Sequence, residues 1–223
     1  MRSLLMAAFA SITIMGAGAA DAVTVETTNF IASPTFFNGF EGIASDPSFI
    51  APFFFPANTA YSEGGVTVEY VGSAPNNMWV QYLHEGNYGW YANGGGTGYT
   101  KVTLTSGADF SALQFLSGTG FGGGSTTYYQ ALLNGSVVST GALGTVGNDL
   151  RFQGLSGGGF DEVRLQSNFT ASFNASNYEA GAYDSFAANA VAGVPEPATW
   201  GLMIIGFGLV GFSARRRAVA FAA

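Results

Sequence analysis

The side chains that could do chemistry in this chain are few, and most are carboxylates. It has 14 Asp and Glu, a single His and no Cys. Without thiols there are no disulfides, thiolate zinc sites, Cys-ligated iron–sulfur clusters or Cys nucleophiles. A Ser–His–Asp triad would have to use His84, in Leu83-His84-Glu85-Gly86, and no Gly-x-Ser-x-Gly elbow accompanies any serine. A surface or strand-edge role fits His84 better. Glycoside hydrolysis needs only two carboxyl groups about 5–9.5 Å apart. The adjacent Asp161 and Glu162, read as part of one strand, point to opposite faces and cannot form that pair. The expectation is a protein without a catalytic centre; a secreted hydrolase is the last alternative.

Other residues invite binding chemistry. Trp79, Tyr82, Tyr88, Trp90 and Tyr91 crowd a Gly/Asn-rich region. Aromatic faces there could stack on sugar rings or fill a core. The set as a whole is expected to fill the core; Trp90 and Tyr91, beside Asn93-Gly94-Gly95-Gly96, are the pair expected to be exposed, and they are the glycan contacts if the body is a carbohydrate-binding module. The triplets Gly94–Gly96, Gly122–Gly124 and Gly157–Gly159 lack the Lys-Ser/Thr and the helix of a phosphate loop. They are expected to connect strands.

The elements that must position these residues are strands. Residues 23–193 hold twelve acids against three bases (Lys101, Arg151 and Arg164), a net charge of −9. That balance argues against nucleic acid, whose phosphates need Lys and Arg. No stretch has the apolar period of a long amphipathic helix; short β-branched and aromatic runs alternate with Gly and Asn instead. Strands are predicted over 65–71, 99–105, 110–116, 149–153, 160–166 and 183–191. A hairpin joins 126–133 to 136–140 through Asn134-Gly135, a pair suited to a type I′ turn. Eight to ten such strands imply an all-β, antiparallel β-sandwich.

The two ends read as addresses. Arg2 precedes an uncharged stretch over 4–20, and Ala20-Asp21-Ala22 fits the small-residue rule, so residues 1–22 form a signal peptide cleaved after Ala22. At the other end Pro195-Glu196-Pro197 precedes Trp200, an uncharged run and Arg215-Arg216-Arg217. Residues 198–214, about 26 Å long as a helix at ~1.5 Å per residue, approach the thickness of a hydrocarbon core. Trp200 suits the interface, and the arginines place the C-terminus in the cytoplasm. A tail over 218–223 follows.

This combination over 194–217 resembles a PEP-CTERM sorting signal of the alphaproteobacterial type. The resemblance implies a Gram-negative host that makes extracellular polysaccharide, and an exosortase, a membrane cysteine protease, as partner. It implies that Pro195, Glu196 and Pro197 are recognised, and that an inner-membrane precursor is processed and delivered to the cell surface or matrix. The expected work is structural or adhesive, associated with exopolysaccharide or biofilm; a carbohydrate-binding module is the alternative. The body between the ends resembles jelly-roll domains through Phe40-Glu41-Gly42, Gly64 to Val68, Gly159 to Leu165 and Tyr183 to Ala187. Early and late strands lie side by side in such domains. The resemblance therefore implies that Glu41 and Asp184 could share a structural calcium; no other cofactor is expected.

Overall fold

The computed structural model describes residues 22–73, 78–79, 85–92, 96–120, 124–168, 172–174, 176, 181–191, 201 and 203–208. The chain divides into two units, before and after the Ala190–Val191 boundary. The first is an antiparallel β-sandwich, as the sequence leads one to expect.

Among the described residues the strands are β1 (Thr24–Glu26), β2 (Phe36–Asn38), β3 (Phe54–Phe55), β4 (Ala60–Glu63), β5 (Val66–Gly72), β6 (Met78–Trp79), β7 (Trp90–Ala92), β8 (Gly98–Leu104), β9 (Phe110–Gly118), β10 (Ser125–Leu133), β11 (Ser136–Val146), β12 (Arg151–Phe160), β13 (Glu162–Asn168) and β14 (Gly181–Ala190). One sheet has the order β11-β10-β13-β8-β5-β4. The other runs β1-β12-β9-β14-β7-β6-β3, with β2 also paired to β14.

The smaller sheet follows the pleat. Val66, Val68 and Tyr70 of β5, and Gly98, Thr100, Val102 and Leu104 of β8, are buried while their neighbours are partly exposed. This period of two puts every second side chain on one face. Val66, Val68, Tyr70, Val102 and Leu104 share one core with Phe110, Leu113, Phe115, Leu155, Phe160, Tyr183 and Phe186 from the larger sheet. At the smaller sheet's other end, Asn134 and Gly135 have φ of 51° and 77°, as a two-residue hairpin requires. A Cβ added at Gly135 would meet nothing within 4 Å, so Gly135→Ala is expected to cost about 1–2 kcal/mol from backbone strain alone. Chemical denaturation measures it.

Two expectations need correction here. Gly157–Gly159 do not connect strands; they lie inside β12, with φ of 78°, 75° and 59°. The β12–β9 register breaks between Ser156 and Phe160, so the triplet forms an irregularity that lets the strand continue to Phe160. Asp161 is likewise not in a strand. It lies between β12 and β13, where its Oδ2 accepts the Asn134 N–H at 2.7 Å.

The central strands of the larger sheet are buried along most of their length on both faces. The face turned away from the core is crossed by residues 29–31. Gln114 of β9 secures them: its Oε1 accepts the N–H groups of Phe30 (2.6 Å) and Ile31 (2.9 Å), and its Nε2 donates to Asn29 Oδ1 (3.0 Å). A side-chain amide thus satisfies loop N–H groups that have no strand to pair with.

Candidate functional site

The most unusual backbone lies where β14 changes partners. On one edge it pairs with β7 through Gly181–Tyr183 and then with β2 through Phe186–Ala188. On the other edge the β9 register jumps from Asp184–Leu116 to Ala187–Gln114. Two residues, Ser185 and Phe186, therefore oppose one, which defines a β-bulge. Ser185 takes a φ of 50°, a left-handed conformation that strains a residue with a Cβ.

Between β2 and β7 the edge of β14 is left to side chains. Asp184 is completely buried. Its Oδ2 accepts the Glu85 N–H at 2.5 Å and its Oδ1 accepts the Ser185 N–H at 2.6 Å. The carboxylate does for the 85–88 segment what a neighbouring strand's carbonyls would do. Glu41 holds that segment too, accepting Asn87 N–H at 2.8 Å and Asn87 Nδ2–H at 2.7 Å. Gly86, with φ of 74°, passes so close that an added Cβ would sit 2.1 Å from Glu41 Oε1. Burial is the chief influence on Asp184, pushing its pKa up to about 7; the two N–H bonds oppose the rise, while the charges of Glu85 and Glu41 add to it.

The structure thus brings Glu41 and Asp184 to one loop. Both carboxylates are engaged by N–H donors, and no group of three or more His, Asp or Glu suited to a metal occurs among the described residues. Sequence reasoning missed Glu85, the third carboxylate here, whose Oε2 accepts the Ser185 hydroxyl at 3.1 Å. A β-bulge leaves no mark in one sequence that would have pointed to it.

Trp90 overturns the expectation of an exposed pair. It has no exposed surface. It stacks on Phe40 with centroids 5.6 Å apart and planes 20° apart, and it packs against Phe55 at 5.7 Å. Phe40, at φ 61°, is itself inserted into the core between Trp90, Tyr61 and Phe186. The reason is topological: β7 is hydrogen-bonded into the larger sheet, so Trp90 faces the opposing sheet. Tyr91, on the other face of β7, is half-buried.

Asp161 and Glu162 are separately engaged, Asp161 by the Asn134 N–H and Glu162 by Arg164 Nε at 2.5 Å. His84 lies outside the described residues, as do Ala20, Pro195, Glu196, Pro197, Trp200, Arg215, Arg216 and Arg217. Ala22 is described and is separated from β1 by Val23 alone, so cleavage after it leaves that strand intact. Within 198–214, Gly201 and residues 203–208 are helical, and Ile204 and Phe207 are 70% and 71% exposed. No helix among the described residues is long and apolar enough to cross a membrane.

Fold and ends together define an all-β body followed by a C-terminal address. Residues 193–217 match the family model of the PEP-CTERM protein-sorting motif. The chain therefore carries the substrate signal of an exosortase and is an exported protein with a C-terminally anchored precursor. No curated protein matches it.

Proposed function

We propose that exosortase processing delivers the folded sandwich to the cell surface or extracellular matrix, where it acts as a structural or adhesive component associated with exopolysaccharide. The carrying observation is the sorting motif at 193–217. Such a signal serves a body that works after leaving the membrane. The body suits that work through a close-packed aromatic core and few charges. This reading assigns it no enzymatic activity.

The test is made in the producing cell. Wild-type protein in the extracellular fraction should lack the arginine-bearing tail by intact mass. Glu196→Ala should keep full-length chain in the membrane, with at least about a tenfold fall in processed product, equivalent to about 1.4 kcal/mol of lost recognition. Normal processing of that variant would overturn the proposal.

A carbohydrate-binding module is the second reading. The stacking surface it assigned to Trp90 is gone, but a cleft elsewhere on the larger sheet keeps it in play.

A further inference from the structure

The bulge at Ser185 has a consequence beyond holding the 85–88 segment. Phe186 points into the core, so by the pleat Ala187 and its register partner Phe37 point away from it. On that outer face lies a cleft of about 230 Å³, lined by Phe37, Phe152, Glu85, Ser185, Gln114 and Asn29 among others. We propose that this cleft binds a neutral pyranose unit of a polysaccharide, with the Phe37 ring as its stacking wall and the Glu85 carboxylate as acceptor for its hydroxyls. The assignment rests on the exopolysaccharide-associated reading and supplies its binding site.

Four observations carry it. First, Phe37, on the short strand β2 that pairs with β14, is 46% exposed on the outer face of the larger sheet. A solvent-facing aromatic ring presents a negative π-face to polarised C–H groups, which a pyranose offers on its axial side. Second, Glu85 is aimed at the cleft. Its N–H is fixed by Asp184, its Oε2 takes the Ser185 hydroxyl, and its Oε1 has no partner among the described residues. A carboxylate accepts hydroxyl hydrogens in charge-assisted bonds, stronger than those of a neutral acceptor. The strain at Ser185 is of the kind that bulges beside binding sites hold, and here it turns the hydroxyl that orients Glu85.

Third, the floor is rigid before any ligand arrives. Gln114 is 3% exposed and holds residues 29–31 through three hydrogen bonds. Preorganisation lowers the entropy cost of binding. Fourth, charge and size narrow the ligand. Among the described residues no Lys or Arg lines the cleft, and Glu85 is the only ionisable group lining it. Phosphates, sulfates and uronic acids would meet an unpaired like charge. Its volume is below the ~300–1,000 Å³ of drug-sized sites, which suits one ring with the chain continuing into solvent.

The experiment uses full-length protein in a polyoxyethylene detergent, which has no sugar headgroup. Isothermal titration is run with the methyl glycosides of glucose, galactose and mannose, their homotrisaccharides, and methyl glucuronide. The expected result is saturable binding of at least one neutral series, with the trisaccharide at least as tight as the single unit. Methyl glucuronide should bind at least about tenfold more weakly than methyl glucoside. Phe37→Ala and Glu85→Gln, both at exposed positions, should each weaken binding about tenfold, the loss of one stacking face or one charge-assisted bond. Their melting temperatures show whether the fold is kept; Phe37→Leu, which retains apolar bulk without a π-face, separates stacking from packing. Absence of binding to every neutral sugar, or binding that both variants leave unchanged, overturns the site. Absent binding with normal removal of the C-terminal tail sinks the cleft alone. Sugar binding with an uncleaved tail sinks the sorting reading alone.

Discussion

Trp90→Ala should lower the unfolding free energy by about 3–5 kcal/mol, the usual cost of deleting a large buried aromatic side chain. Trp90 has no exposed surface and lies between Phe40 and Phe55, so truncation opens a cavity bounded by rings that cannot easily close on it. Trp90→Phe should behave very differently. The indole Nε1 is buried with no acceptor among the described residues, and an unmade hydrogen bond of this kind costs about 1–3 kcal/mol. Phe loses ring volume but removes that orphan donor, so its net cost should fall to about 1 kcal/mol. Chemical denaturation of the protein and both variants, in nonionic detergent, measures the contrast. Equal losses for Phe and Ala would mean that the indole has a partner after all. An unaffected Ala variant would return Trp90 to the surface.

Trp90 also shows where sequence reading stops. Its neighbours, Asn93 and Gly94 to Gly96, have the composition of a loop, and local composition made the ring look exposed. What buries it is Phe40, 50 positions earlier and held in a left-handed backbone conformation. No periodicity in either segment announces that contact. By contrast, β5, β8 and the Asn134-Gly135 hairpin were legible because local pattern decides them: alternation sets the buried face, and the turn needs two residues with positive φ. The short strands β1, β2, β3, β6 and β7, of two or three residues each, carry too little alternation to be seen. They exist because neighbours in the sheet satisfy their backbone groups.

The candidate sites divide in the same way. The sorting signal is read as a linear peptide by a membrane enzyme, so its whole content is written in consecutive residues. The junction at β14 is written in three distant places. Glu41 and Asp184 were paired only through resemblance to jelly-roll domains, and Glu85, 99 positions before Asp184, was not singled out. The bulge that unites them is a property of strand register, which emerges only when β9, β2 and β7 all compete for one strand.

That junction makes stability depend on pH in a direction opposite to that of an ordinary paired carboxylate. The folded-state pKa of Asp184 is raised from 3.8 to about 7, chiefly by burial. Below about pH 4 the group is protonated whether the chain is folded or not, and its contribution is fully present. Between about pH 4 and 7 the unfolded chain releases the proton while the folded chain keeps it. Each pH unit in that window then costs the folded state about 1.4 kcal/mol, roughly 4 kcal/mol in all, and the loss levels off above about pH 7. Asp184→Asn cannot titrate. Its amide has one acceptor oxygen for two N–H groups, so the variant starts from lower stability, but that offset does not vary with pH. The decisive quantity is therefore the difference in unfolding free energy between protein and variant, measured by denaturation at each unit from pH 4 to 8. It should fall steadily to about pH 7 and then stay constant; a difference that does not change across the range would show that Asp184 is ionised throughout. Ionisation also places a third negative charge beside Glu85 and Glu41, which grip the same segment. Amide exchange at Glu85 and Asn87, corrected for intrinsic rate, should accordingly rise through the same window in the protein and not in the variant. Loosening of this segment would then be a local opening driven by one buried carboxylate, not a general softening of the sandwich.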